Sequence, residues 1–307
     1  MINIKFLQYF SLLRYKVLSK LLDDKKFTLI LDMEDSAQNL FSKKKTIELK
    51  KRCRDGIIYL SKNNINLEKC FLRINSIKSD YFNNDIKVLK KAKKEKLKLR
   101  GIFLPKTENF TEIKYVYEKL DIPIIPIIET KKGYQNLEKI LIKDIGFNYI
   151  YGIHYGHFDF CLDKEIWPLP EPYHKDYWKI INPIIDICND YKKKFIQTPY
   201  PLINNNKILW SMIKILEKKL LDSGYVALVN INKSFFKKPN KIKYLNLRKI
   251  SSDKNYLINF AKKIIKEYED NKQPNKSFSL TKKRFIAPHQ FLMAKKFLDK
   301  NEKKFRK

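Results

Sequence analysis

The sequence predicts an α/β protein: a (β/α)8 TIM barrel followed by a C-terminal helical extension. Two observations carry this expectation. Eight apolar runs of strand length recur along the first 235 residues, their starts about 20 to 45 residues apart. Most are near-continuously apolar, as strands buried on both faces of a parallel sheet are, and helix-like amphipathic stretches separate most of them. Eight such units in about 230 residues suit a closed barrel. An open, doubly wound sheet would be expected to carry a glycine-rich phosphate loop after its first strand. None is present, and the chain has only 7 Gly.

The first run is INIKFLQYF (2–10), and LLRYKVLSKLLDD after it reads as helix. FTLILDM (27–33) is the second strand, and CFLRIN (70–75) is the third, followed by the helical NDIKVLKKAKKEK. GIFLPK (101–106) precedes the helical TEIKYVYEKL, and IPIIPIIE (122–129) precedes YQNLEKILIKD. YIYGI (149–153), KFIQTPY (194–200) and YVALVNI (225–231) complete the eight. Beyond residue 235 the rhythm changes. YLINFAKKIIKEYED has helical apolar spacing, NKQPNKS reads as a linker, and PHQFLMAKKFLDKNEKKFRK reads as a second helix with a basic tail. The expected division is a barrel over 1–235 and a helical extension over 236–307, a candidate to pack on a neighbouring subunit. The aromatic, proline-rich IWPLPEPYHKDYW (166–178) reads as a lid, a substrate loop or a subunit interface.

The charge is extreme, 65 Lys and Arg against 33 Asp and Glu. The lysines lie on most of the expected helices rather than on one stripe, and no zinc-finger spacing or RNP-type aromatic motif accompanies them. They read as solvated surface, with no specific nucleic-acid partner. No apolar run is long enough to span a bilayer, so no membrane association is expected. The N-terminal stretch lacks a small-residue cleavage site, and Cys53, Cys70, Cys161 and Cys188 form no CxxC. Both point to a cytoplasmic protein with reduced thiols.

In a (β/α)8 barrel the chemistry sits at the C-terminal ends of the strands. Those ends carry Asp32, Glu34 and Asp35 on the second strand, Arg73 and Asn75 on the third, and Lys106 on the fourth. Glu129 and Thr130 end the fifth, HYGHFDF with His154, His157 and Asp159 follows the sixth, and Gln197 and Thr198 lie near the end of the seventh. Carboxylates converging from different strands suit a hard cation. Mg²⁺, with Mn²⁺ the alternative, takes oxygen ligands and keeps several waters. Glu129 and Asp159 are the candidate direct ligands, and the acids of the second strand would hold metal-bound water. Arg73 has the planar fork that suits a substrate carboxylate or phosphate. Lys106 reads as a contact to substrate or metal-bound water, or as an ion-pair partner of Glu129. His154 and His157 lie three apart, but the oxygen-rich mouth argues against zinc, and His157 reads instead as a substrate contact or proton carrier. Asp35 and Ser36 also suit helix capping.

The same segments resemble the HpcH/HpaI aldolase and citrate lyase β-subunit superfamily. LILDMEDSAQNLFSKKKT resembles its Asp-Leu-Glu-Asp strand, and FLRINSIKSDYFNNDI its Val-Arg-Ile-Asn strand. GIFLPKTEN, IIPIIETKKGYQNLEKI and YIYGIHYGHFDF resemble its Leu-Pro-Lys, Ile-Glu-Thr and Phe-Gly-x-x-Asp segments, and SLTKKRFIAPHQFLMAKKFL its closing motif. The matches run in order from about residue 27 to 300. The resemblance implies a TIM barrel with Mg²⁺ on Glu129 and Asp159, Arg73 on the substrate carboxylate, and Glu34 and Asp35 around metal-bound water. Asn75 and Thr130 join Arg73 as candidate substrate contacts, and Lys106 and His157 join the catalytic candidates. It implies reversible carbon–carbon cleavage on acyl-CoA thioesters or 2-keto acids, in homo-oligomers, usually trimers or hexamers. Three features depart from the pattern. FLQYFSLLRY lacks the family's Arg-Ser opening and Pro-Gly turn. VALVNINKS lacks its Ile-His-Pro and Gln. Ala287 stands where the closing motif carries an Asp that often serves a neighbouring subunit. These departures count against an acyl-CoA substrate and the usual acid–base step. The expectation is a Mg²⁺-dependent lyase or aldolase acting on a small 2-keto acid or related carboxylate through an enolate. The rival readings are a CoA-thioester lyase, and a non-catalytic barrel binding an acidic or sugar-derived metabolite.

Overall fold

The computed structural model describes residues 4–22, 26–39, 42–200, 202, 205–228, 237–271, 279–280 and 285–305. Eight parallel strands close a TIM barrel in chain order: β1 Ile4–Ser11, β2 Thr28–Asp32, β3 Phe71–Arg73, β4 Gly101–Leu104, β5 Ile124–Ile128, β6 Gly152–Tyr155, β7 Lys194–Tyr200 and β8 Gly224–Leu228, which pairs back onto β1. Around and beyond them lie α1 Ser19–Leu22, α2 Lys43–Lys62, α3 Phe82–Lys94, α4 Phe110–Leu120, α5 Lys131–Asp144, α6 His157–Asp163, α7 Lys175–Asp190, α8 Asn206–Lys219, α9 Lys254–Asp270 and α10 Pro288–Phe305. Each of the eight expected strands overlaps an observed one.

The stretch after β1 is not one helix. A 3-10 turn, Leu12–Val17, and the single turn of α1 replace it, because Arg14 leaves helical backbone (φ −107°, ψ 20°). Longer helices follow their caps. Ser42 caps α2 by accepting from the Lys45 amide, Asn109 caps α4 from Glu112, and Thr130 caps α5 from Gly133.

Alternation along each strand divides the apolar residues into two cores. Leu7, Ile30, Phe71, Phe103, Ile125, Ile127, Ile196, Tyr225 and Ala227 point inward and fill the barrel. Their neighbours in sequence, such as Phe6, Leu29, Leu72, Ile102, Ile124 and Ile128, point outward and pack under the helices. Both faces of each strand are therefore dry, which is why the runs read as continuously apolar.

The extension has its own core of Ala261, Ile264, Tyr268, Ile286, Phe291 and Ala294. Tyr268 and Phe291 stack with ring centres 4.4 Å apart. Trp167 joins it to the barrel, with its ring 5.6 Å from that of Phe260 and 6.0 Å from that of Phe297. The proline-rich stretch is thereby packed between barrel and extension. Pro168 through Pro172 are buried, and the Trp178 indole donates to the Pro172 carbonyl. The boundary expected at residue 235, the VNINKS departure and most of the NKQPNKS linker lie outside the described residues. All four cysteines are buried and unpaired. Among the described residues no helix is long and apolar enough to cross a membrane.

Candidate functional site

The inward alternation decides which polar side chains reach the mouth. Ile30 faces inward, so Asp32, two residues on, does too. Phe71 places Arg73 in the same way, and Ile127 places Glu129. Asp32 and Arg73 are register neighbours on β2 and β3.

Arg73 organises the first group. Its Nε and Nη2 donate to the two oxygens of Asp32, at 2.7 and 2.8 Å, a bidentate pair. Nη1 reaches Asp35 at 3.0 Å and Glu34 at 3.2 Å. The guanidinium lies 4.7 Å from the centre of the Tyr9 ring. Asp32 also accepts from the amides of Glu34 and Ser36, which folds the loop after β2 back on itself. From α2, the buried Lys50 ammonium donates to the Met33 and Glu34 carbonyls.

Glu129 is 6% exposed and accepts the Lys106 amide at 2.8 Å. Lys106 lies in the left-handed region there, φ 55°. Gly156 lies against the other side of the carboxylate. A Cβ there would sit 2.5 Å from Glu129 Oε2 and 2.6 Å from its Cβ. Gly156→Ala is therefore expected to cost about 1–3 kcal/mol through overpacking. Chemical denaturation checks this, and an unchanged midpoint would show that Glu129 has room to yield.

Asp159, in α6, takes the last contacts. Its Oδ1 lies 3.4 Å from Lys106 Nζ, and its Oδ2 lies 3.1 Å from Nε2 of His289 on α10.

The electrostatics follow from crowding. Five carboxyls, Asp32, Glu34, Asp35, Glu129 and Asp159, meet three cations that pair with them, Arg73, Lys106 and His289. Burial, then Asp35, pushes Glu34 up to about 8. Burial, then Asp159 and Glu34, holds Glu129 well above the usual carboxyl range. Desolvation is the largest influence on Asp35 and Asp159 too and opposes their ionisation, but Arg73, His289, Lys50 and a hydrogen bond with Glu34 together outweigh it at Asp35, the charge and hydrogen bond of His289 with Lys106 do so at Asp159, and both stay below the ordinary value. Burial disfavours the His289 imidazolium, yet the charge and hydrogen bond of Asp159 raise it to about 9.

Three expected site residues are committed elsewhere. Asn75 gives its side-chain amide to Asp85 at 2.6 Å, and Asp85 also pairs with Arg54. The Thr130 hydroxyl caps α5. His157 is sealed outside the barrel. Its Nε2 donates to the Pro170 carbonyl at 2.6 Å, its Nδ1 accepts from Tyr155, and burial lowers it to about 4. Glu34, Asp35, Arg73, Lys106, Glu129 and Asp159 come together. The sequence reading did not include Tyr9, Lys50 or His289. His154, considered there only for zinc, lies below the mouth. It donates from Nδ1 to the Ile196 carbonyl and accepts the Tyr9 hydroxyl at 3.2 Å. The alternation of Leu7 and Tyr9 carries a sequence signal for Tyr9. None marks His289, because it belongs to the extension.

Among the described residues, no three His, Cys, Asp or Glu side chains are arranged to enclose a metal. The donor set suits a cation that binds through one or two carboxylates and otherwise keeps water, as Mg²⁺ does. Glu129, with Oε1 on the Lys106 amide, and Asp159, with its oxygens on Lys106 and His289, are the candidates for those two.

No protein-family model and no curated protein matches the chain. Solved structures do. Protein CitE of Mycobacterium tuberculosis in complex with magnesium and pyruvate is 14% identical, with a TM-score of 0.58 over 78% of this chain and 93% of that one. CitE of the same organism with magnesium, acetoacetate and coenzyme A is 13% identical, with a TM-score of 0.58 over 96% and 97%. RipC of Yersinia pestis is 16% identical, with a TM-score of 0.55 over 78% and 97%. These belong to the superfamily that the sequence motifs resemble. At such identities the likeness shows a shared fold.

Proposed function

We propose that this chain is a Mg²⁺-dependent carbon–carbon lyase or aldolase acting on a free 2-keto acid or related small carboxylate. The observation that carries the reading is the convergence of Glu34, Asp35, Glu129 and Asp159 with Arg73, Lys106 and His289 at the C-terminal mouth of the barrel. Bound Mg²⁺ supplies the positive charge that stabilises an anion developing at a carbonyl oxygen. Glu129 and Asp159 would hold it, and Glu34 and Asp35, fixed by Arg73, would orient water beside it. The fork of Arg73 is filled by Asp32, so its part is to order the acids. Lys106, with its side chain 45% exposed, is the cation placed to meet a substrate carboxylate. Solved neighbours carry magnesium with pyruvate or oxaloacetate, which supports this substrate class. The altered segment after β1 and the loss of the closing Asp at Ala287 favour a free acid over a CoA ester.

A binding-only barrel is the second reading, favoured by the saturation of Arg73 with the chain's own acids. The test is Mg²⁺-dependent release of pyruvate, or of a small aldehyde or ketone, from a panel of hydroxy-keto acids, with malyl-CoA and citramalyl-CoA alongside. Turnover of a free acid is expected. Cleavage of a CoA ester alone overturns the substrate class, and ligand binding without any turnover establishes the binding barrel.

A further inference from the structure

We propose that His289 is a positioning residue, delivered by the chain's own C-terminal helix, that fixes the Asp159 carboxylate for metal binding and completes the mouth within one subunit. This rests on the metal reading above. The geometry is specific. His289 Nε2 meets Asp159 Oδ2 at 3.1 Å, while the other oxygen, Oδ1, faces Lys106 Nζ at 3.4 Å. A carboxylate held from one side by an N–H donor has one orientation, and its second oxygen stays directed at the group opposite. The two partners are 17% and 19% exposed in their side chains, so the contact is largely shielded from water.

The helix that brings His289 is anchored to its own barrel along its length. Ile286 and Ala287, just before α10, are buried. The ring of Phe285 lies 6.4 Å from that of Phe158, the residue before Asp159. Met293 belongs to the same core as Phe158, and Phe297 packs on Trp167. Lys300 pairs with Glu165, just beyond α6. These contacts surround the His289–Asp159 pair. Ala287, two residues before His289, has no polar group to offer, so the polar contact from this segment comes from the imidazole.

The experiment is calorimetric Mg²⁺ titration of the full chain as wild type, His289→Ala and His289→Gln. Gln places an amide N–H near the position of Nε2. His289→Ala is expected to weaken Mg²⁺ binding about 10- to 100-fold, the range for partners that orient a ligand, and His289→Gln to recover most of it. Co-expressed Glu129→Gln and His289→Ala chains are expected to form no tight site. Equal affinity of wild type and His289→Ala, or equal loss in His289→Ala and His289→Gln, overturns the positioning role. Tight sites in the co-expressed mixture overturn delivery within one subunit. If wild type itself binds no Mg²⁺, the metal reading falls, and this inference falls with it.

Discussion

Glu129→Gln and Asp159→Asn are each expected to abolish measurable Mg²⁺ binding while the barrel stays folded. Each variant removes one of the two carboxylates proposed to touch the ion directly, and an amide oxygen is a poor replacement for an anionic donor. The fold tolerates both changes, because Gln can still accept the Lys106 amide through Oε1 and Asn can still accept from His289. Calorimetry measures the binding, and circular dichroism confirms the fold. Unchanged affinity in both variants would mean that the ion binds elsewhere. Glu34→Gln is expected to be milder, about 10- to 100-fold in affinity. Burial and Asp35 already disfavour the charged form of Glu34, pushing it up to about 8, so removing its charge changes the metal-free site less.

Asp32→Ala is expected to destabilise the protein by about 3–5 kcal/mol, the cost of leaving one member of a buried ion pair without its partner. Arg73 would lose both bonds of its bidentate contact, and the amides of Glu34 and Ser36 would lose their acceptor. Glu34 and Asp35 remain within reach of Nη1 but face only one edge of the guanidinium. Asp35→Ala is the control. Its side chain is 38% exposed, so its pairing with Arg73 is partly screened and its removal should cost less than about 1 kcal/mol. Urea unfolding of the two variants measures the difference, and equal midpoints would show that Asp32 is not the residue that holds Arg73 in place.

These two variants separate what the acids after β2 do. Read along the chain, FTLILDMEDS places three acids at one strand end with nothing to rank them. In the folded chain Asp32 is buried, faces inward and locks Arg73, while Glu34 and Asp35 line the mouth above it. The ranking depends on β3 lying beside β2 in a register that sets Arg73 against Asp32. The reading of Arg73 as a fork for substrate changed for the same reason, since its partner is 41 residues away in sequence.

The sequence by itself determined the barrel. Eight apolar runs with intervening amphipathic stretches admit few other closed arrangements, because each strand buries both faces and needs helices outside it. It also determined which strand ends carry acids and cations, since β-strand alternation with an inward Phe71 or Ile127 places Arg73 or Glu129 inward two residues later. Tertiary structure alone decided which of these groups meet. Asn75, Thr130 and His157 occupy the expected strand ends but are held by a buried Asp85, a helix cap and the Pro170 carbonyl. His289 lies 130 residues beyond Asp159, on a helix with no barrel periodicity, and reaches the mouth only because that helix packs against α6. Local patterns fix the direction in which a side chain points. Contacts between distant segments depend on how complete elements pack, and local periodicity carries no record of that.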